Sequence, residues 1–220
     1  MRLLQLTDKG DVKFTEYVGK DTPPYAILSH RWGDAGNEVS FADVVGAQHR
    51  HKVGYAKIRS CGEQAKKDGL MHFWVDTCCI NKESSAELSE AINSMYAWYQ
   101  NADICYAYLS DVHDGTKYCD SEWFERGWTL QELLAPADVL FFDATWAPIG
   151  FKTSLSLRIS QRTGIRESVL FDGSGLKEYG VAEKMSWAAN RQTSRVEDEA
   201  YCLMGLFGVS KPFCDYKKSY

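Results

Sequence analysis

Residues 24–33 read P-Y-A-I-L-S-H-R-W-G. The run Y-A-I-L-S over residues 25–29 is mostly apolar and has the length of a strand, which predicts a strand buried at the centre of a sheet. Polar and aromatic residues, H-R-W-G, follow it at once. Because open α/β sheets bind ligands at the carboxyl ends of their parallel strands, His30 and Arg31 are candidate site residues.

Other apolar runs of strand length alternate along the chain with stretches of helical spacing. The predicted strands cover residues 3–6, 12–17, 25–29, 73–76, 104–109 and 139–142, and the predicted helices cover residues 55–68, 84–99, 181–190 and 197–207. The first two strands flank a turn and predict an N-terminal hairpin, whereas Ser84 and Glu87 predict a capping box on the second helix. Strands that alternate with helices predict a parallel, doubly wound sheet. Residues 154–179 contain glycine and serine breaks and fit no single pattern.

Length and composition are those of an ordinary globular domain. The chain has 220 residues, of which 45% are apolar and 25% charged. A formal net charge of -5 without a basic stripe argues against nucleic acid as a partner. The sequence contains no apolar run of membrane-spanning length and no signal peptide, which favours a cytoplasmic location. Seven irregularly spaced cysteines without a C-x-x-C pair suggest reduced thiols rather than disulfides or a metal site.

Residues 121–136 read S-E-W-F-E-R-G-W-T-L-Q-E-L-L-A-P. This short stretch contains two tryptophans, one arginine and three glutamates. On a helix that begins near Arg126, Trp128 and Glu132 share a face, and Pro136 ends the helix. A carboxylate therefore lies beside an indole. The alternative is a solvated Glu132 next to tryptophans that belong to the core.

Four parts of the chain together resemble one protein family. They are P-Y-A-I-L-S-H-R-W-G at residues 24–33, F-W-V-D-T-C-C-I-N at residues 73–81, residues 121–136, and M-S-W-A-A-N-R at residues 185–191 with E-D-E-A-Y-C-L-M-G-L-F-G at residues 197–208. They closely resemble the heterokaryon-incompatibility (HET) domain of filamentous fungi. The resemblance covers roughly the whole chain and implies one HET domain over residues 1–220, with an α/β core at about residues 22–146 and a mixed region with C-terminal helices at residues 147–220. After Gly208 the chain departs from the family pattern, which suggests a truncated or short-form member.

The HET family is in turn distantly similar to TIR domains, which have a flavodoxin-like sheet and in many members cleave NAD. Y-A-I-L-S-H-R resembles the first TIR strand and its loop, and residues 88–110 resemble the middle of a TIR domain. Residues 121–133 resemble the plant TIR segment that ends W-C-L-x-E-L and carries the catalytic glutamate. The resemblance implies an α/β fold with a flavodoxin-like, mainly parallel sheet flanked by helices, an N-terminal hairpin and a C-terminal helical appendage. It also implies that Glu132 is the catalytic carboxylate.

Cleavage of the nicotinamide–ribose bond passes through an oxocarbenium-like transition state that one carboxylate can stabilise. Nicotinamide leaves as a neutral base, so no general acid is needed. Trp32 or Trp128 could stack on a flat base, although Trp128 could equally be packing. Arg31 could hold a pyrophosphate or pair with Asp76.

Three further roles stay open at the sequence level. His30 could be a structural residue or a general base, and Asp76 could be a site residue or the cap of a loop. A nucleophile pair of Cys78 or Cys79 with His30 is a further alternative, although nothing indicates a lowered thiol pKa.

The resemblance to the HET and TIR families implies a cell-death domain in non-self recognition that hydrolyses NAD or a related nucleotide. NAD is then a substrate, and no resident cofactor or metal is expected. Enzymes of the TIR type generally require assembly, so a homo-oligomer on activation is expected, with an upstream partner that the sequence does not identify. The rival hypothesis is a non-catalytic module that triggers cell death by self-association.

Overall fold

The computed structural model describes residues 1–17, 19–172, 176 and 178–210. Within these residues seven strands form one sheet in the order β2-β1-β4-β3-β5-β6-β7. The strands are β1 (Arg2–Leu6), β2 (Val12–Glu16), β3 (Tyr25–His30), β4 (His72–Trp74), β5 (Ile104–Tyr108), β6 (Val139–Phe142) and β7 (Pro148–Phe151).

The centre of the sheet is parallel and its two sides are antiparallel. Strand β3 pairs in parallel with β4 and with β5, and β5 pairs in parallel with β6. In chain order these four strands have the arrangement 2-1-3-4, which is that of a flavodoxin-like sheet. The predicted hairpin β1–β2 joins the sheet through β4, and the unpredicted strand β7 adds to β6, both antiparallel. The predicted α/β architecture is thus confirmed, with a mixed rather than a purely parallel sheet.

Helices connect the strands and cover the sheet. They are α1 (Phe41–Val45), α2 (Tyr55–Lys67), α3 (Asp76–Cys79), α4 (Ser85–Gln100), α5 (Thr129–Leu134), α6 (Ser156–Thr163), α7 (Glu167–Asp172), α8 (Val181–Ala188) and α9 (Asp198–Phe207). Helices α6 and α7 lie in the region that the sequence pattern left open, of which residues 173–175 and 177 are outside the described residues. No helix in the described part of the chain is long and apolar enough to span a bilayer.

The predicted capping box at the start of α4 forms only by half. Ser84 accepts a hydrogen bond from the Glu87 backbone N–H, as predicted. The Glu87 carboxylate instead accepts from the Asn81 backbone N–H and from the Arg2 guanidinium. Because Arg2 stands at the start of β1, this bond ties the hairpin to α4.

Both C-terminal helices that the sequence predicted are present, and the second of them is tightly packed. Helix α9 packs directly against α4 and α5. The closeness of the contact depends on Gly205, since a Cβ atom there would lie 2.1 Å from the Cβ of Tyr96 on α4. The C-terminal unit is therefore an integral layer of the fold. The departure from the family pattern after residue 210 lies outside the described residues.

Candidate functional site

A cavity of about 650 Å³ opens where the parallel strands β3 and β4 end. It is walled by the loop after β3, by α4 and α5, and by the segment that leads into α9. The lining includes all six sequence-predicted site residues: His30, Arg31, Trp32, Asp76, Trp128 and Glu132. Strand order explains why residues far apart in the chain meet here, since parallel strands place their carboxyl ends at one edge.

Glu132 lies at the inner wall of this cavity and is 8% exposed. The Ser29 hydroxyl donates a hydrogen bond of 2.5 Å to its Oε2 atom, and the indole Nε1 of Trp123 donates to that hydroxyl at 2.8 Å. The interpretation of Glu132 as a solvated helix residue is therefore wrong. The carboxylate is held by a buried relay that runs from Trp123 through Ser29.

Burial raises the pKa of Glu132 to about 7. The hydrogen bond from Ser29 and the positive charge of Arg126 act in the opposite direction, and the negative charge of Asp76 adds to the rise. The carboxyl group therefore changes its charge near neutral pH. Perturbed titration of a buried acid in a cavity is a common property of functional carboxylates.

Residues 121–136 form two short elements rather than one helix. A 3-10 helix covers Glu122–Glu125, and α5 begins only at Thr129. Between them Gly127 donates its backbone N–H to the Gln192 carbonyl, and a Cβ atom on Gly127 would lie 2.6 Å from Cγ2 of Thr193. The break lets the chain pass close to the C-terminal segment and still aims Glu132 at the cavity.

The two tryptophans of this stretch have different environments. Trp123 is fully buried against Phe124 and Phe141, as core residues are. Trp128 is half-buried and lines the cavity. Its side chain is therefore not fully covered by packing contacts. Of the two, Trp128 is the aromatic group that could contact a ligand.

His30 and Asp76 face each other across the ends of β3 and β4. Asp76 begins α3 rather than ending the strand. Its Oδ1 atom is 3.8 Å from Nδ1 of His30, too far for a hydrogen bond. Burial, with the positive charge of Lys57 next in importance, holds the pKa of His30 well below its usual range, so the imidazole is neutral.

Arg31 and Trp32 form the mouth of the cavity. Of the two roles left open for Arg31, the pairing with Asp76 does not form, because the half-exposed Arg31 pairs with Glu122. Asp76 instead accepts a hydrogen bond of 2.7 Å from Nε1 of Trp32. Lys82 holds its ammonium group 3.6 Å from the centroid of the Trp32 ring. A base can stack on that face of Trp32 only if Lys82 moves.

Several residues of the site had no sequence-level assignment. Arg126 donates to the carbonyl of His30 at 3.0 Å, and the half-buried Arg191 donates to the Arg126 carbonyl and to the Thr129 hydroxyl, each at 2.9 Å. Ser29 could have been found as the polar residue in an apolar buried strand. Arg191 gave no such signal, because its partners become neighbours only in the folded chain.

The alternative of a cysteine nucleophile has no support in the geometry. Cys78 and Cys79 are buried, and burial raises the pKa of Cys78 well above its usual range. A buried thiol of raised pKa carries little thiolate. Across the described chain, no group of three or more His, Cys, Asp or Glu residues could hold a metal ion.

A second cavity of about 560 Å³ lies between the turn after β1 and the start of α2. Its lining is rich in cations, including Arg50, Lys52 and Arg59. These cations form ion pairs with Asp11, Asp43 and Glu63, respectively. Their charge is thus largely neutralised, and this cavity has no buried acid comparable to Glu132.

Fold and cavity together define a doubly wound α/β protein with its candidate site at the carboxyl edge of the parallel strands. Residues 25–118 match the family model described as heterokaryon incompatibility protein (HET). The chain is also 47% identical, over 225 residues, to the vegetative incompatibility protein HET-E-1 of Podospora anserina. That alignment covers 96% of this chain and 16% of the relative. The chain therefore belongs to the heterokaryon-incompatibility (HET) family.

The chain thus spans a small part of the curated relative that it matches. No solved structure matches the chain at a significant level. The resemblance to TIR domains stays a prediction.

Proposed function

We propose that this domain acts in fungal non-self recognition and cell death by hydrolysing the nicotinamide–ribose bond of NAD, with Glu132 as the catalytic carboxylate. The observation that carries the proposal is the position of Glu132: a buried carboxyl group, with its pKa raised to about 7, in the wall of a cavity of about 650 Å³. The name of the relative HET-E-1, a vegetative incompatibility protein, supports the cellular role.

The chemistry suits a carboxylate in this environment. As nicotinamide leaves, positive charge develops on the ribose, and a carboxylate in a site of low dielectric stabilises that charge strongly. The nicotinamide ring of NAD is itself cationic, so its arrival lowers the pKa of Glu132 and favours the ionised form. Ser29 fixes the direction of the carboxylate through its 2.5 Å hydrogen bond.

The other cavity residues have roles that follow from their exposure. Trp128 offers an aromatic surface beside Glu132. Arg31 and Lys82 at the mouth could contact the diphosphate, provided that Arg31 exchanges its partner Glu122 for a phosphate oxygen. Gln192 and Ser194 close the cavity from the C-terminal segment.

The proposal is tested by nicotinamide release from NAD by Glu132→Gln, since glutamine keeps the shape of the side chain and removes its charge. We expect release to fall at least about 100-fold, the usual scale for loss of one electrostatic stabiliser of a transition state. Release is measured by chromatography at high protein concentration, where assembly is favoured.

Glu63→Gln is the matched control, because Glu63 is an exposed carboxylate of α2 that pairs with Arg59 away from the cavity. It should leave release unchanged. Wild-type release by Glu132→Gln would remove Glu132 from the mechanism. If neither wild type nor Glu132→Gln releases nicotinamide and both still trigger cell death, the domain is a self-associating signalling module without this chemistry.

A further inference from the structure

The His30 side chain is a buried polar group whose bonding capacity is unused. It is 4% exposed, and within the described residues neither of its ring nitrogens has a hydrogen-bond partner. The great majority of buried polar side-chain atoms in proteins have a partner. A histidine with two such atoms therefore needs an explanation.

Asp76 adds a third unused atom at the same place. Its Oδ2 atom accepts from Trp32, whereas Oδ1 is buried and has no partner in the part of the chain that the structure describes. The gap of 3.8 Å between Oδ1 and Nδ1 of His30 is too long for a direct bond. Both residues line the cavity that contains Glu132. The three atoms thus belong to neighbouring residues in the wall of that cavity.

The chemistry of these atoms restricts what can bind them. The imidazole is neutral and so presents one N–H donor and one acceptor nitrogen, while the carboxylate presents an acceptor. A phosphate would be repelled by Asp76, and a carbonyl oxygen has no hydrogen to give to the two acceptors. A hydroxyl group both donates and accepts, and two adjacent hydroxyls would satisfy the imidazole and the carboxylate together.

We propose that His30 and Asp76 form a hydroxyl-binding subsite that holds the 2′- and 3′-hydroxyls of the ribose next to the bond that Glu132 acts on. The inference rests on the proposed function for the identity of the ligand. Asp76 is in turn fixed by Trp32, so the subsite connects the mouth of the cavity to its inner wall.

Binding of two non-cleavable ligands tests the subsite without any need for turnover. The first is carbocyclic NAD, which keeps both hydroxyls on the ring that bears nicotinamide, and the second is the same analogue without those two hydroxyls. By calorimetry we expect wild type to bind the first at least about tenfold more tightly, the scale of one or two good hydrogen bonds.

Substitution of the histidine should reduce that preference. In His30→Phe an aromatic ring remains but both nitrogens are gone, so the difference in affinity between the two analogues should shrink to what Asp76 alone provides. Because the native nitrogens contribute no hydrogen bond to folding, the variant should also melt at a higher temperature than wild type. Asp76→Asn, which keeps its shape, should weaken the preference without unfolding the chain.

His49→Phe is the matched control, because His49 is equally buried, at 2% exposed, but has Asp11 and the Asp43 carbonyl as partners. It should melt at a lower temperature and keep the ligand preference of wild type. Melting of His30→Phe below wild type would show that the nitrogens serve the fold and would overturn the proposal.

The binding measurements with the two analogues distinguish the hydroxyl-binding subsite from the proposed hydrolysis of NAD. Equal binding of the two analogues by wild type, or no binding of the hydroxylated one, overturns the subsite even if nicotinamide is released. Preferential binding without nicotinamide release upholds the subsite and overturns only the hydrolysis.

Discussion

Glu132 occupies a position in which an ionised carboxylate is costly to the fold. The carboxyl group is buried, and hydrogen bonds from Ser29 and Tyr99 offset only part of its lost hydration. An amide would fill the same space without a charge to desolvate. Retention of a carboxylate at such a position is therefore better explained by function than by stability.

Stability as a function of pH should reveal this cost. The pKa of a glutamate carboxyl is ordinarily 4.5, and that of Glu132 in the folded protein is about 7, so between these values the folded state holds a proton that the unfolded state has lost. Stability from this group is therefore complete below about pH 4.5 and is lost as the pH rises through 7. The loss is about 3 kcal/mol for a shift of this size.

The measurement compares the free energy of unfolding of wild type and Glu132→Gln in urea, at about pH 4.5 and about pH 8. Glutamine does not titrate, so the difference between the two proteins isolates this carboxyl group from all others. The variant should gain on wild type as the pH rises. A constant difference across this range would show that Glu132 ionises in the folded protein as it does in water.

At the level of elements, the close packing of helix α9 against α4 depends on one glycine, Gly205. In Gly205→Ala a methyl group would meet Tyr96 of α4 at 2.1 Å, so the two helices must separate. Alanine favours a helix by about 1 kcal/mol over glycine, but overpacking costs about 1–3 kcal/mol, and contact this short belongs to the upper part of that range. We expect a net loss of roughly 2 kcal/mol.

Urea denaturation of Gly205→Ala tests the contact, with Gly180→Ala as the control. A Cβ atom on Gly180 would have no atom within 4 Å, and its φ of -68° suits alanine. Because glycine is preferred to alanine at the N-cap position that Gly180 occupies, the control should lose no more than about 1 kcal/mol. A stabilised Gly205→Ala would mean that α9 does not pack against α4 as described.

The elements differ in how far the sequence could predict them. Strand β6 was predicted with its observed ends, and β3 to within one residue, because each is a continuous apolar run that the sheet buries. Strand β7 was missed because its sequence P-I-G-F contains a proline and a glycine, and only an antiparallel place at the edge of the sheet accommodates them.

Side-chain partners were harder to predict than elements. The pairing of Arg31 with Glu122, and of Glu87 with Arg2, joins residues that are 91 and 85 positions apart. The capping-box spacing predicted the Ser84 backbone as the partner of Glu87, and the position of two strand ends offered Asp76 as one alternative for Arg31. In the folded chain other side chains lie closer to both residues. The six candidate site residues could be predicted from the sequence because strand ends and family motifs are patterns of neighbouring residues, whereas side-chain partners are not. All six line the cavity.

At the scale of the whole molecule, the cavity is assembled from both ends of the chain. The strand ends provide His30 and Asp76, while the C-terminal segment provides Gln192 and, behind the wall, Arg191. Arg191 bonds to the Arg126 carbonyl and to Thr129 at the start of α5. The predicted core at residues 22–146 contains Glu132 but lacks Arg191, which bonds to the start of its helix. Separation of core and C-terminal unit should therefore cost both fold and site.

Removal of the C-terminal helices should abolish cooperative folding. Helices α8 and α9 bury Trp187, Leu203 and Leu206, and burial of each large apolar side chain contributes about 1.5–3 kcal/mol. Their sum approaches the total stability of an ordinary domain, about 5–15 kcal/mol. The chain over residues 1–180 should thus lose its sharp urea transition and bind a hydrophobic dye, whereas the chain over residues 1–210 keeps the transition.

Leu206→Ala should retain cooperative unfolding and lose about 2–5 kcal/mol of stability. This variant distinguishes the loss of one packing contact from the loss of the whole C-terminal layer. A sharp transition in residues 1–180 at the urea concentration of the longer chain would instead make the C-terminal helices a true appendage, and the site would then depend on the strand ends alone.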